Sequence, residues 1–115
     1  MPRSYSKDKR DANEPELVEF MQRQGIGVQL LSIGAGADAL TAFRRKPALC
    51  EIKNPEYMKK SKIVNGKRVK ITPMEAAVSM LTKEERDMRI WCKAMNIPYL
   101  IVWDEESVKK AFEIK

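Results

Sequence analysis

Histidine is absent from the 115 residues of this chain. Nucleases and hydrolases that work through an imidazole are excluded, as are histidine-ligated metals. A bound metal would have to be held by oxygen, which favours Mg2+ or Mn2+. Cysteine occurs only at Cys50 and Cys92, with no partner at metal-ligand spacing. A disulfide framework or zinc site is therefore not expected, and both read as small core residues. No apolar run approaches the roughly 20 residues that a membrane span needs. Met1-Pro2-Arg3-Ser4-Tyr5 lacks the hydrophobic core of a signal peptide. The expectation is a cytoplasmic protein with no membrane partner and no nucleotide or organic cofactor.

Acidic residues are scarce in one segment. Residues 44–70 hold ten basic side chains against only Glu51 and Glu56, whereas residues 11–43 hold one basic and five acidic. Such asymmetry in a chain of net charge +6 points to a polyanion bound on one face. Nucleic acid is the expected one, because phosphate neutralisation supplies most non-specific affinity. Candidate binding residues are Arg44, Arg45, Lys59, Lys60, Lys62, Lys67, Arg68 and Lys70, with Arg10 from a basic arm over residues 1–10. The plainer reading is a solvated loop whose lysines serve solubility.

The hydrophobic pattern predicts alternating helix and strand in one α/β domain with a single core. A helix is expected from Glu14 to Gln24, with Asn13 or Asp11 available as cap, Pro15 in its first turn and Gly25 ending it. Leu17, Val18, Phe20 and Met21 form its inward stripe; Glu14 leans along that stripe, while Glu16 and Glu19 suit solvent. Strands are expected over 26–33, 38–43 and 48–53, with Gly34-Ala35-Gly36 as a small-residue turn before Asp38 and a turn over 44–47. Residues 56–80 read as a basic insertion, with a hairpin signal at Asn65-Gly66. Thr72-Pro73-Met74-Glu75 and Thr82-Lys83-Glu84-Glu85 each read as a capping box opening a helix. In the second helix Leu81, Met88, Trp91, Cys92 and Met95 are expected to cover the sheet. Residues 98–103 form a buried strand, and Asp104 caps a last helix with Val108, Ala111 and Phe112 inward.

Within this frame four ionisable residues stand out: Glu14, Asp38, Glu51 and Lys53. Strand side chains alternate with a period of two, so Glu51 and Lys53 share one face while Cys50 and Ile52 take the other. Asp38 lies 13 residues before Glu51, a separation that suits an antiparallel hairpin returning the aspartate beside the glutamate. Asp38, Glu51 and the backbone carbonyl of Ile52 would suit a hard cation, with Glu14 as a further ligand. Lys53 would orient water or stabilise transition-state charge, and two nearby carboxylates favour its ammonium form. Phosphodiester hydrolysis needs such a set. Acid-x-Lys pairs are also common as ordinary charge partners on exposed strands.

A helix acid, a Gly-rich turn, a strand Asp and a Glu-x-Lys strand follow in that order, and there the chain resembles the PD-(D/E)XK nuclease superfamily over about residues 11–103. It looks closest to small phage-type stand-alone nucleases of the VRR-NUC kind and to Holliday junction resolvases. The resemblance implies a restriction-endonuclease-like αβββαβ core with a mixed sheet flanked by helices. It carries over Asp38 and Glu51 as metal ligands, Lys53 as the catalytic lysine and Glu14 as the helix acid. Two departures accompany it: Ala37 precedes the aspartate where the family has Pro, and Glu stands at the family's helix Gln position in either alignment, at Glu75 or Glu85. The expected activity is metal-dependent endonucleolytic cleavage of DNA, structure-directed and performed as a homodimer, since paired cuts require two sites. A catalytically inactive DNA-binding module and an RNA nuclease remain as alternatives.

Overall fold

The computed structural model describes residues 12–115; Arg10, Asp11 and the basic arm lie outside them. The chain runs α1 (Glu14–Arg23), β1 (Gly27–Leu30), β2 (Ala39–Phe43), β3 (Lys46–Ile52), a 3-10 turn (Pro55–Tyr57), β4 (Ser61–Val64), β5 (Lys67–Lys70), α2 (Pro73–Ser79), α3 (Lys83–Ala94), β6 (Tyr99–Val102) and α4 (Glu105–Ala111). The result is a mixed α/β domain. A four-stranded sheet has the order β1-β2-β3-β6, antiparallel through β1, β2 and β3 and parallel between β3 and β6. A separate ribbon pairs β4 with β5.

The sheet is covered on both faces, since β6 is apolar on both and β3 buries Cys50 and Ile52 on one of them. Cys50, Ile52 and Val102 point into a core with Leu17, Phe20 and Met21 of α1, Ile26, and Val108 and Phe112 of α4's end. Ile101 points the other way, into a smaller cluster with Ala77 of α2 and Leu81. Fully burying a side chain such as Met21, Ile52 or Val102 contributes about 1.5–3 kcal/mol, so most of the cohesion is on the α1/α4 face.

Local chemistry explains the element ends. Thr72 and Thr82 each accept from the backbone N–H three residues on while Glu75 and Glu85 reach back, so both expected capping boxes form. Asp104 caps α4 through Ser107. Asn13 occupies the N-cap position of α1 but does not cap it with its side chain. Instead Nδ2 donates to the carbonyls of Lys53 and Trp103, both at 3.1 Å, which ties α1 to the ends of β3 and β6.

Three expectations need correction. The first strand is shorter than 26–33, covering Gly27–Leu30. The β2–β3 turn is only Arg44-Arg45, both at positive φ (51° and 66°), and β3 starts at Lys46 and includes Pro47. Proline is tolerated there because β6 pairs with β3 only from Leu49 onward. Trp91 and Met95 are not core: they are 51% and 54% exposed, beside Ile90 at 68%. Cys92 turns into the protein from α3, and Met88 packs on Gly36, so the neighbouring Trp91 is rotated outward. A Cβ at Gly36, where φ is +95°, would lie 2.9 Å from Met88 Cβ and 3.3 Å from the Glu84 carbonyl oxygen. The small-residue turn thus admits a helix.

Candidate active site

The β2–β3 register pairs Ala39 with Cys50. One step earlier Asp38 therefore faces Glu51, and directly opposed residues share a face. Asp38 N–H donates to the Cys50 carbonyl at 3.0 Å, and Asp38 Oδ2 accepts from the Ile52 N–H at 2.7 Å. The aspartate is thereby fixed to the strand that carries the glutamate. The expected return of Asp38 to Glu51 is what the hairpin delivers.

Two residues on from Glu51, just past the end of β3, Lys53 Nζ lies 3.1 Å from Glu51 Oε2 and 2.8 Å from Oε1 of Glu85 on α3. Glu51 is 3% and Lys53 7% exposed. Glu14, at the first position of α1, is also buried. Its neighbour Asn13 bonds the Lys53 carbonyl, so α1 begins at the end of the strand that bears the cluster. The site sits where the parallel strand β3 ends, the usual place for ligands in sheets of this type.

Electrostatics divide the labour among these groups. Burial, with Asp38 and Glu85 nearby, pushes the Glu51 carboxyl up to about 9 from an ordinary 4.5. Burial alone would lower Lys53, but the hydrogen bond to Glu85 and the charges of Glu51 and Glu85 outweigh it and hold the ammonium form above its usual range. Burial opposes charge on Glu85 as well, yet its bonds from Lys53 and the Thr82 N–H keep it ionised below the ordinary carboxylate range. Lys53 and Glu85 therefore form the standing ion pair, and Glu51 retains a proton when nothing else neutralises it. Tyr99 completes the wall. Its hydroxyl, raised by burial and the three acids, donates to the Gly36 carbonyl at 2.7 Å.

Glu85 is the residue that sequence reasoning placed as a helix cap and as one of two candidates for the family's helix Gln position, but not among the site residues. Its signal was present as the fourth residue of Thr82-Lys83-Glu84-Glu85, but nothing local tells that the capping oxygen also reaches a lysine 32 residues upstream.

Arg44 and Arg45 stand apart from the cluster. They turn the far end of the β2–β3 hairpin, about 20 Å from Glu51 at ~3.3 Å per strand residue, and the Arg44 guanidinium lies over Phe43, 4.7 Å from the ring centre. Lys62, Lys67, Arg68 and Lys70 are on the exposed β4–β5 ribbon, with Lys59 and Lys60 just ahead of it.

A divalent cation fits the donor chemistry in part. Among the described residues no group of three or more His, Cys, Asp or Glu side chains is arranged to hold one. Asp38 and Glu51 would supply two carboxylates, leaving the Ile52 carbonyl and water for the rest. Glu51 Oε1 is buried without a hydrogen-bond partner, and an orphaned buried carboxylate oxygen is where a cation would act.

The chain matches no family model, no curated protein and no solved structure. The functional reading rests on the residues themselves. They define a mixed α/β domain with a buried acid–lysine cluster at the end of its central strand.

Proposed function

We propose that this protein is a divalent-metal-dependent DNA endonuclease hydrolysing phosphodiester bonds. Its substrate would be branched or junction DNA of the kind processed by phages and mobile elements, and it would act as a homodimer. One observation carries the reading: Asp38 and Glu51 face each other across β2 and β3, Lys53 lies beside them, and one oxygen of Glu51 is left without a partner.

In the reaction water attacks phosphorus, the bond to the bridging oxygen breaks, and that oxygen leaves with the electron pair and takes a proton. Mg2+ or Mn2+ bound by Asp38, Glu51 and the Ile52 carbonyl would supply a polarised water and charge neutralisation. Lys53, held as an ammonium by Glu85, donates toward the phosphoryl oxygens as negative charge builds there. Its protonation argues for electrostatic stabilisation over proton abstraction. Asp38, fixed by the Ile52 N–H, keeps the acid pair aligned without reorganisation. Glu14, buried at the start of α1, would be a further ligand.

A second reading, an inactive nuclease-fold binding module, is favoured by one feature. Lys53 is neutralised by the ionised Glu85 and flanked by Glu51, leaving a self-contained cluster.

Cleavage of labelled four-way junction, flap, linear duplex and single strand with Mg2+ or Mn2+ separates the two. Wild type should cut. Lys53→Ala and Asp38→Asn should each lose about 10²–10⁴-fold while circular dichroism shows them folded. Binding without cutting by wild type would establish the second reading.

A further inference from the structure

The β4–β5 ribbon belongs to neither core. Its strands pair only with each other, and every residue of Lys62–Lys70 is exposed. An isolated two-stranded ribbon is marginal in water, and this one is closed at its base by the Ile71 N–H donating to the Lys60 carbonyl at 3.1 Å. Arg68 also donates to Ser61 Oγ at 2.9 Å across the ribbon. At the tip Asn65 and Gly66 both take positive φ, 51° and 77°, the two-residue turn that matches strand twist.

Charge is distributed over both faces. Residues 59–70 hold six basic side chains and no acid. The register Ser61↔Lys70, Lys62↔Val69, Ile63↔Arg68 and Val64↔Lys67 puts Arg68 and Lys70 on one face with Ile63, and Lys62 and Lys67 on the other with Val64 and Val69. A ribbon lying on a flat anionic surface would need cations on one face only. Cations on both faces suit a slot with negative walls on either side. The major groove of B-DNA is such a slot: about 12 Å wide, walled by phosphates, and able to admit a two-stranded ribbon. In a tip-first entry the Asn65-Gly66 turn would meet the base edges on its floor, with Val64 next to it. The major groove of A-form RNA is too narrow and deep for this.

We infer that the β4–β5 ribbon enters the major groove of duplex DNA tip first, with Lys62 and Lys67 facing one phosphate wall and Arg68 and Lys70 the other. The inference deepens the nuclease reading and rests on it for its ligand: the segment from Lys53 to Lys59 is short and includes the 3-10 turn, so a seated ribbon would set where the duplex meets the acid–lysine cluster.

The test is binding of full-length protein in EDTA to a duplex of about two helical turns, the matching single strand and the matching RNA duplex. Dimethyl sulfate probing on the DNA duplex reads guanine N7 in the major groove and adenine N3 in the minor groove. Wild type should prefer duplex DNA and protect guanine N7. Lys62→Gln/Lys67→Gln/Arg68→Gln, with unchanged melting temperature, should bind about 10–100-fold more weakly, with a salt slope lower by about 2.7, and lose that protection. Lys62→Arg/Lys67→Arg should keep it. Unchanged affinity in the triple variant, preference for single strand or RNA, or protection of adenine N3 alone overturns the inference. Cleavage assayed on the same preparations separates the two ideas. Cutting without N7 protection removes the ribbon and leaves the nuclease, whereas N7 protection without cutting removes the nuclease and leaves the ribbon.

Discussion

Oε1 of Glu85 accepts two hydrogen bonds at 2.8 Å, one from the Thr82 N–H that opens α3 and one from Lys53 Nζ. Capping and lysine positioning are thus one piece of chemistry, and two substitutions pull them apart. Glu85→Ala removes both and should cost about 1–2 kcal/mol of stability through the lost cap. Its cleavage turnover should fall about 10–100-fold because Lys53 is no longer aimed, with DNA affinity little changed. Glu85→Gln keeps an oxygen for the cap and should recover stability but only part of the turnover, since the ammonium loses its charged partner. Wild-type turnover in Glu85→Ala would remove Glu85 from any positioning role. Glu51 makes a separate prediction in chelator. Its carboxyl titrates at about 9 when folded against an ordinary 4.5, so between those values the folded state binds more protons than the unfolded one. Stability from this group is therefore full below about pH 4.5 and declines as pH rises toward 9. Thermal melts from pH 5 to 9 should fall more steeply for wild type than for Glu51→Gln. Added Mn2+ should raise the wild-type melting temperature most at the alkaline end. Parallel curves for the two proteins would show that burial does not hold the proton.

Elements differ in how much of themselves they disclose in sequence. The two capping boxes and the Asn65-Gly66 turn are local chemistry, and they form where the residues stand. The pairing of Asp38 with Glu51 was also legible, because hairpin length and a period of two fix which side chains meet. Trp91 was not. Its helix carries more apolar residues than the short sheet beneath can cover, and which of them faces inward depends on Met88 seating against Gly36, a contact between segments far apart in sequence. The same distinction governs the ribbon. Since β4 and β5 lean on no other strand and Lys60 and Ile71 already meet at its base, replacing residues 61–70 by a two-residue Asn-Gly link should leave the four-stranded sheet intact. The expected change in melting temperature is a few degrees at most, on the scale of about 1 kcal/mol. Loss of cooperative unfolding in that variant would show that the ribbon is part of the core after all.

On the scale of the molecule, positive charge is carried outward at two places that differ in what they sacrifice. The β4–β5 tip uses Asn65-Gly66, residues suited to positive φ, whereas the β2–β3 tip places Arg44 and Arg45 at 51° and 66°, where side chains other than Gly cost roughly 1–2 kcal/mol each. The stacking of Arg44 on Phe43 returns only about 0.5–1 kcal/mol. A strained turn retained with two cations fits a surface shaped for binding over stability. Arg44→Asn/Arg45→Gly should therefore raise the melting temperature by several degrees. The same change should weaken DNA binding, with a salt slope lower by about 1.8. Because the turn lies about 20 Å from Glu51 by strand rise, turnover at saturating DNA should not change. A duplex reaching both the site and this turn must extend at least about six base pairs at ~3.4 Å each. Wild type should accordingly gain affinity as duplexes lengthen past that span, and the double variant should gain less. A variant that is more stable yet binds DNA as tightly as wild type, at every length and salt concentration, would place the nucleic acid away from this end of the molecule.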